Sequence, residues 1–191
     1  ALFVILVALI VRVCAFEWRA KINTDTWRAW CDRGIVFGSA VPAILWGVAF
    51  GNLVAGVPID ADKQFTGTFF TLLTPYALFT GLTTLAVFLL HGAVFIALKS
   101  SGEVREDAGV LAEKFAVPAA VIAAVWAIWT QLAYGKTWTW AVVVVAALML
   151  VVAIVMTRAR NEKLAFLATS IVIIGAVVMI FGSMFPNVMP S

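Results

Sequence analysis

Six long apolar stretches dominate this sequence and leave few folds open to it. A helix needs about 20 mostly apolar residues to cross a bilayer, and all six stretches meet that length or nearly do. The run AVVVVAALMLVVAIVM is apolar on every face, whereas a barrel strand alternates in polarity over about ten residues. The sequence therefore predicts an all-α, polytopic bundle of about six transmembrane helices, at residues 1–16, 35–57, 69–98, 115–134, 138–157 and 164–185.

Composition supports a membrane protein. Hydrophobic residues make up 64% of the chain, charged residues 12%, and the mean hydropathy is +1.07, far outside the range of soluble domains. The connections are short, so we expect one membrane domain over 1–191. The first stretch begins at Ala1 without a Met or a basic segment. We interpret it as a truncated transmembrane segment rather than a signal peptide, and we expect a fragment boundary at the C-terminal end too.

Lys and Arg alternate between rich and poor connections along the chain. The first, third and fifth connections are rich and the second and fourth hold only Lys63 and Lys136, so the odd-numbered connections are predicted to be cytoplasmic. Cys14 and Cys31 fall at or near the first of these, where we expect no disulfide. The basic residues form no stripe, so nothing indicates nucleic-acid binding.

The second stretch is crowded with glycines. Gly34 and Gly38 lie roughly opposite Gly47 and Gly51 when residues are placed at 100° intervals. Small residues provide the close-approach surfaces of packed membrane helices. We therefore predict that this helix is packed on two sides and that these glycines serve structure and assembly.

Polar and proline positions in the same stretch also favour a structural interpretation. Pro42 removes the amide that would bond the Gly38 carbonyl, which a hydroxyl such as Ser39 or a neighbouring helix would have to compensate. Asn52 is expected to cap a bend or to bond a partner helix. Pro75 and Gly81 of the third stretch are interpreted in the same way, as a kink with tight packing.

Aromatic residues gather near the fourth connection. An interfacial belt explains this cluster, and stacking on a quinone is the alternative that we disfavour beside a turn. The members are Trp126, Trp129, Tyr134, Trp138 and Trp140.

Ionisable residues are almost absent from the apolar stretches, although such groups usually mark function in membranes. Only His91 and Arg12 approach the interior, and Arg12 can extend to the interface. These residues cannot form a proton relay across the membrane. Because b-type haems need His or His/Met pairs, the single His91 is predicted to be a hydrogen-bonded structural residue, with haem ligation beside a Met as the alternative. We predict no catalytic residue and no metal site in this chain.

Three sequence blocks carry a family resemblance. The segments FEWRAKINTDTWRAWCDRGIVFGSAVPAILWGVAFGNLVAGVP, FTGTFFTLLTPYALFTGLTTLAVFLLHGAVFIALKSSGEV and GSMFPNVMPS resemble, in order, subunit II of the cytochrome bd-type quinol oxidases. This resemblance implies helices three to eight of a nine-helix subunit that binds no haem itself. It implies a partner subunit I with haem b and haem d cofactors, and quinol as the substrate.

The same resemblance bears on individual residues and partners. Arg12 matches the arginine that closes the family's third helix and implies a structural ion pair in the complex. His91 falls where the family admits other polar residues, including Gln. Lipid, a structural quinone and small accessory subunits are further implied partners. The implied location is the bacterial or archaeal cytoplasmic membrane.

Two other functions stay open at this point. Pro- and Gly-interrupted helices also mark secondary transporters, although a midplane substrate site would need a polar anchor that these stretches lack. A membrane scaffold or chaperone without a redox partner is the other alternative. Stoichiometric association with a haem protein would distinguish both from the accessory subunit of an oxidase.

Overall fold

The computed structural model of the protein describes residues 2–57 and 67–186. These residues form six α-helices and one short 3-10 turn, and the described ranges contain no strand. The prediction of an all-α helical fold is confirmed. The elements are α1 (Leu2–Arg19), α2 (Asp25–Ala55), the 3-10 turn Phe69–Leu72, α3 (Pro75–Lys99), α4 (Glu103–Tyr134), α5 (Thr139–Arg158) and α6 (Glu162–Met184).

Five of the helices, α2 to α6, are long and apolar enough to cross a membrane. The protein is therefore a multi-pass membrane protein. The first predicted segment corresponds to α1, whose 18 residues include Arg12, Glu17 and Arg19. Helices α2 and α4 contain more charged residues, but each is long enough to include an apolar stretch of membrane length as well.

Two helices begin earlier than hydropathy alone predicts. α2 starts at Asp25 rather than at residue 35, and α4 starts at Glu103 rather than at residue 115. Acidic residues in a first turn are stabilised by the positive end of the helix dipole, so both helices continue outside the apolar region. The 31 residues of α2 span about 46 Å, longer than the roughly 30 Å hydrocarbon core of a bilayer.

The third predicted helix starts later than expected. Residues 69–72 form the 3-10 turn, and α3 begins at Pro75 with Thr74 as its N-cap. The Thr74 hydroxyl accepts a hydrogen bond from the Ala77 amide at 3.1 Å, and proline at the first helical position has no bonded amide to lose. The prediction of a kink at Pro75 is wrong, because this proline starts the helix.

The helices pack as a hairpin joined to a four-helix bundle. α1 packs against α2 and α2 against α3, while α3, α4, α5 and α6 form the bundle, in which α3 also contacts α6. One core cluster joins Leu90 and Val94 of α3 to the buried Ala112, Ala116 and Ala119 of α4. Alanines let helix backbones approach closely in a membrane, so this part of the bundle is compact.

The basic residues collect at one end of the antiparallel helices. Arg19, Lys99 and Arg158 lie in the last turns of α1, α3 and α5, which puts them beside the first turns of α2, α4 and α6. The charge alternation along the sequence thus becomes a charged end of the fold. Ion pairs there join Arg19 to Asp32 at 2.6 Å, Arg105 to Glu162 at 2.9 Å and Arg160 to Glu113 at 3.4 Å.

Candidate functional site

One face of α2 is pressed against α1. A Cβ atom added at Gly38 would lie 2.5 Å from the Ala8 carbonyl oxygen and 2.6 Å from Arg12 Cβ. At Gly34 it would lie 3.2 Å from Ala15 Cβ. Real Cβ contacts are not this short at Gly38, so a glycine is needed there for the two backbones to meet.

The other face of α2 meets α3. A Cβ atom at Gly47 would lie 2.7 Å from Gly81 Cα and 2.8 Å from the Thr80 carbonyl oxygen, and one at Gly51 would lie 2.8 Å from Ala77 Cα. Helix α2 is therefore packed between two neighbours, as the spacing of its glycines predicts. The part that these glycines play in assembly with other chains stays a prediction.

Pro42 lies within an uninterrupted α2. The Ser39 hydroxyl, predicted to compensate the Gly38 carbonyl, instead donates to the Ile35 carbonyl at 2.7 Å. That part of the prediction is wrong, because a serine in a helix reaches the carbonyl four residues before it. Gly38 is therefore packed against α1, and the Ser39 hydroxyl does not bond its carbonyl.

Asn52 fastens the segment before α3 to α2. Its side chain is buried, and Nδ2 donates to the Val48 carbonyl at 2.8 Å and to the Leu72 carbonyl at 2.7 Å. One bond lies within α2 and the other reaches the 3-10 turn. A buried amide without hydrogen-bond partners is costly in a membrane. The two hydrogen bonds of Asn52 therefore fix the position of the 3-10 turn relative to α2.

Arg12 lies on the face of α1 that meets α2 at Gly38, although the residue is exposed. Its guanidinium carbon is 5.9 Å from the centre of the Phe16 ring. Among the described residues, no carboxylate forms a salt bridge with it. The ion pair expected for Arg12 within a complex therefore stays a prediction.

His91 links α3 to α6. Its Nδ1 lies 2.9 Å from Thr169 Oγ1, and the ring stacks on Phe166 with centroids 4.8 Å apart. The Thr169 hydroxyl already donates to the carbonyls of Ala165 and Phe166, both at 3.0 Å. With its hydrogen on these carbonyls, Thr169 Oγ1 accepts from His91 in the tautomer that carries a hydrogen on Nδ1.

His91 is the only histidine in the sequence, so a bis-His haem site cannot be formed. A cavity of about 390 Å³ in the bundle is lined by Met179 but not by His91. Residues 2–57 and 67–186 hold no group of three or more His, Cys, Asp or Glu that could bind a metal ion. The described residues therefore supply no bis-His pair at His91.

A buried polar network joins α3 to α4. Tyr76 OH lies 2.9 Å from Thr130 Oγ1, and Trp126 Nε1 donates to Thr80 Oγ1 at 3.0 Å. The Thr130 hydroxyl donates to the Trp126 carbonyl at 2.8 Å and the Thr80 hydroxyl to the Tyr76 carbonyl at 2.9 Å. Every side-chain donor in the network thus has an acceptor, as buried polar groups require.

Sequence analysis missed this network, although a signal was present. Tyr76 and Thr80 are four residues apart, and so are Trp126 and Thr130, which places each pair on one helix face. Trp126 is only 4% exposed, so its assignment to the interfacial belt is wrong. Trp129, Trp138 and Trp140 are 40 to 50% exposed, as residues of such a belt would be.

The same network borders a cavity of about 390 Å³ within the four-helix bundle. Helices α3, α4, α5 and α6 all contribute to its wall, and Phe50 of α2 completes it. Its polar side chains are Thr80, Thr83, Thr84, Trp126 and Trp140, and none of its lining side chains is ionisable. Apolar clefts of 300–1,000 Å³ with a few polar groups are the usual form of small-molecule sites.

Comparisons with known proteins all lead to the same protein family. The model of the family described as cytochrome bd terminal oxidase subunit II matches residues 1–191. The chain is 40% identical over 133 residues to a probable cytochrome oxidase subunit 2 of Haemophilus influenzae, covering 66% of this chain and 35% of that protein. It is 34% identical over 139 residues to the cytochrome bd-I ubiquinol oxidase subunit 2 of Escherichia coli K12, covering 71% and 36%.

A third relative is matched along almost all of the chain. This is the cytochrome bd ubiquinol oxidase subunit 2 of Bacillus subtilis, 32% identical over 197 residues, which covers 98% of this chain and 57% of that protein. The chain thus spans between about a third and somewhat more than half of the length of these curated relatives.

Proposed function

The chain belongs to the cytochrome bd terminal oxidase subunit II family, and from that premise we propose that it is the haem-free accessory subunit of a bd-type quinol oxidase. The family match over residues 1–191 carries this proposal. In the proposed complex a partner, subunit I, holds haem b and haem d cofactors, oxidises quinol and reduces oxygen to water. The enzyme class of the whole complex is thus an oxidoreductase of aerobic respiratory electron transport.

The haem-free part of the proposal is supported by the single histidine of the sequence, His91, because one histidine cannot form a bis-His haem site. Its Nδ1 is hydrogen-bonded to Thr169 and its ring is stacked on Phe166, so the side chain already connects two helices. A haem ligand needs a nitrogen directed at the iron and a second axial ligand or an open position opposite. We therefore assign His91 the structural task of joining α3 to α6.

The proposed task of this chain is to support subunit I. Its glycine-packed hairpin and four-helix bundle present large apolar side chains outward, including Leu2, Phe3 and Val13 of α1, which are 66 to 76% exposed. These surfaces suit contact with lipid or with other membrane helices. Arg12 lies on the same helix, and we propose that it pairs with a carboxylate elsewhere in the complex, because an unpaired charge at membrane depth is costly.

Charge separation belongs to the complex as a whole. Protons for water formation are taken from the cytoplasm, and protons from quinol oxidation are released outside, which generates a proton motive force. In the proposed orientation the α1–α2, α3–α4 and α5–α6 connections face the cytoplasm of a bacterial or archaeal cell. The apolar helices also shape paths for oxygen, and lipid, a structural quinone and small accessory subunits are further proposed partners.

A transporter half is less well supported. A substrate site at the middle of a membrane usually has a polar or ionisable anchor, and no ionisable side chain lines the bundle cavity. A scaffold without a redox partner would share the same fold, so only its partners would distinguish it.

The test is purification of the full-length subunit through an affinity tag in mild detergent. We expect a roughly equimolar haem-bearing partner, quinol-dependent oxygen uptake and a reduced-minus-oxidised haem spectrum. After separation of the subunits, the haem should stay with the partner. The variant His91→Gln should leave the haem spectrum of the complex unchanged.

Two outcomes would overturn the proposal. Haem that remains with the isolated subunit and is lost in His91→Gln would make His91 a ligand. A stable subunit with no haem-bearing partner would favour the scaffold or the transporter instead.

A further inference from the structure

In the buried wall of the bundle cavity, every side-chain hydrogen-bond donor already has an acceptor within the protein. The hydroxyls of Thr80, Thr83 and Thr84 donate to carbonyls of their own helix at 2.9 Å each. The indole nitrogen of Trp126 donates to Thr80 Oγ1. Trp140 holds the remaining side-chain donor of the lining, and it is 46% exposed. A ligand in the buried part can therefore receive no hydrogen bond from these side chains.

This chemistry makes the buried part of the cavity a poor site for a polar ring. A quinone ring carries two carbonyl acceptors that would lose their hydrogen bonds on entering a wall without free donors, which is costly. An all-hydrocarbon ligand loses nothing in the same place and gains dispersion contacts that an empty cavity forfeits.

The cavity is also open to its surroundings, and exposed residues of its lining lie on α3, α4, α5 and α6. Its lining includes Ile128 and Val144, which are 50% and 54% exposed. Ala147 of α5 also lines it and is exposed, while Ala124 of α4 is half-buried. These helices are apolar enough to span a membrane, so the opening lies along membrane-spanning segments.

We propose that this cavity binds one hydrocarbon chain of a membrane phospholipid, inserted into the bundle of α3, α4, α5 and α6 with its head group outside. Apolar cavities lined by aliphatic and aromatic side chains take up apolar molecules in this way. The proposed function includes lipid or a structural quinone as a partner, and this proposal chooses the lipid. It rests on that part of the proposed function alone. His91 does not line this site.

The test compares two phenylalanine variants on α4 by native mass spectrometry of the whole complex from mild detergent. Ala127 lines the cavity, so Ala127→Phe should fill it and reduce the number of retained phospholipids by about one. Val125 is 48% exposed and does not line the cavity, so Val125→Phe should retain the wild-type number. If Ala127→Phe fails to assemble, Ala147→Phe at the opening replaces it.

Competition identifies the part of the lipid that is bound. Hexadecane should displace the retained phospholipid, whereas the tail-less quinone 2,3-dimethoxy-5-methyl-1,4-benzoquinone should not. Equal phospholipid numbers in wild type and both variants would overturn the proposal, and so would loss of a quinone mass instead of a phospholipid mass. If quinol oxidase activity is intact, either of these two results would overturn only the lipid site and would not affect the proposed function. A lipid difference in a protein without a haem-bearing partner would support the site and overturn the proposed function.

Discussion

The α2–α3 contact and the α4–α5 contact join neighbouring helices of similar apolar character, yet they differ in closeness. At the first, Gly47 faces Gly81 so closely that an added Cβ would lie 2.7 Å from Cα of the partner. At the second, a cavity of about 390 Å³ remains between the helices of the bundle. Lipid is as apolar as leucine, so burial of apolar surface does not drive membrane helices together. The size and position of small residues decide the difference.

Thr80 belongs to both regions. Its Oγ1 would lie 3.0 Å from a Cβ at Gly51, and it also accepts the hydrogen bond of the Trp126 indole. The closed α2–α3 contact therefore positions the side chain that forms part of the cavity wall. The two regions can be tested separately through substitutions on either side of this threonine.

The largest effect is expected for Gly47→Leu or Gly51→Leu. The new side chain would collide with the α3 backbone near Gly81 or Ala77, and backbone cannot move aside as a flexible side chain can. We expect destabilisation at or above the roughly 3 kcal/mol upper end of typical overpacking, seen as a loss of assembled protein in size-exclusion chromatography. Gly92→Leu is the matched control, because nothing lies within 4 Å of a Cβ there. Normal assembly and oxygen uptake in Gly51→Leu would refute the closed contact.

Thr80→Val should have the second largest effect. The substitution keeps the shape but leaves the buried Trp126 indole N–H without its acceptor, which costs about 1–2 kcal/mol. Thermal unfolding in detergent measures the loss. Thr83→Val serves as the control because its hydroxyl bonds only the Phe79 carbonyl of its own helix. Equal losses in the two variants would mean that the link between α3 and α4 contributes nothing measurable.

Ala127→Leu should change stability by no more than about 1 kcal/mol in either direction. The added carbons enter the cavity instead of meeting a neighbouring backbone, and filling a cavity is tolerated or mildly stabilising. Thermal unfolding beside Gly47→Leu makes the comparison direct. A loss as large as that of the glycine variant would show that the α4–α5 region is as closely packed as the α2–α3 contact.

The smallest effect is expected outside both regions, at the Arg105–Glu162 pair that joins α4 to α6. Its Arg105 side chain is 53% exposed and its Glu162 side chain 18%, and pairs that are open to solvent on one side contribute about 0.2–1 kcal/mol. A double-mutant cycle with Arg105→Gln and Glu162→Gln should give a coupling energy in that range. Raising the salt concentration should weaken it further. Coupling that exceeds the effect of Thr80→Val would reverse the predicted order.

Local sequence features predicted much of the α2 region. Glycine spacing alone placed Gly38 and Gly47 on opposite faces of one helix, because 100° per residue follows from helix geometry. The start of α3 could not be found from hydropathy, since the apolar residues 69–72 look like the helix that follows. Pro75 and the Thr74 cap were the better local signal.

The burial of Trp126 could not be predicted from the sequence. Position near a connection favoured an interfacial residue, but burial depends on which way the helix is rotated. In a helix that is apolar on most faces, hydropathy carries little information about rotation. The partner of Trp126 is Thr80, 46 residues earlier in the chain, and no local pattern connects the two.

The sequence by itself determined that the chain is an all-helical membrane protein, because only helices or closed barrels satisfy backbone polar groups in lipid. It also determined that α2 has two close-approach faces, since glycine positions are written directly in the chain. The tertiary structure alone decided the Trp126–Thr80 and Tyr76–Thr130 bonds and the cavity beside them. These depend on the rotation and depth of whole helices, and contacts among distant residues set both.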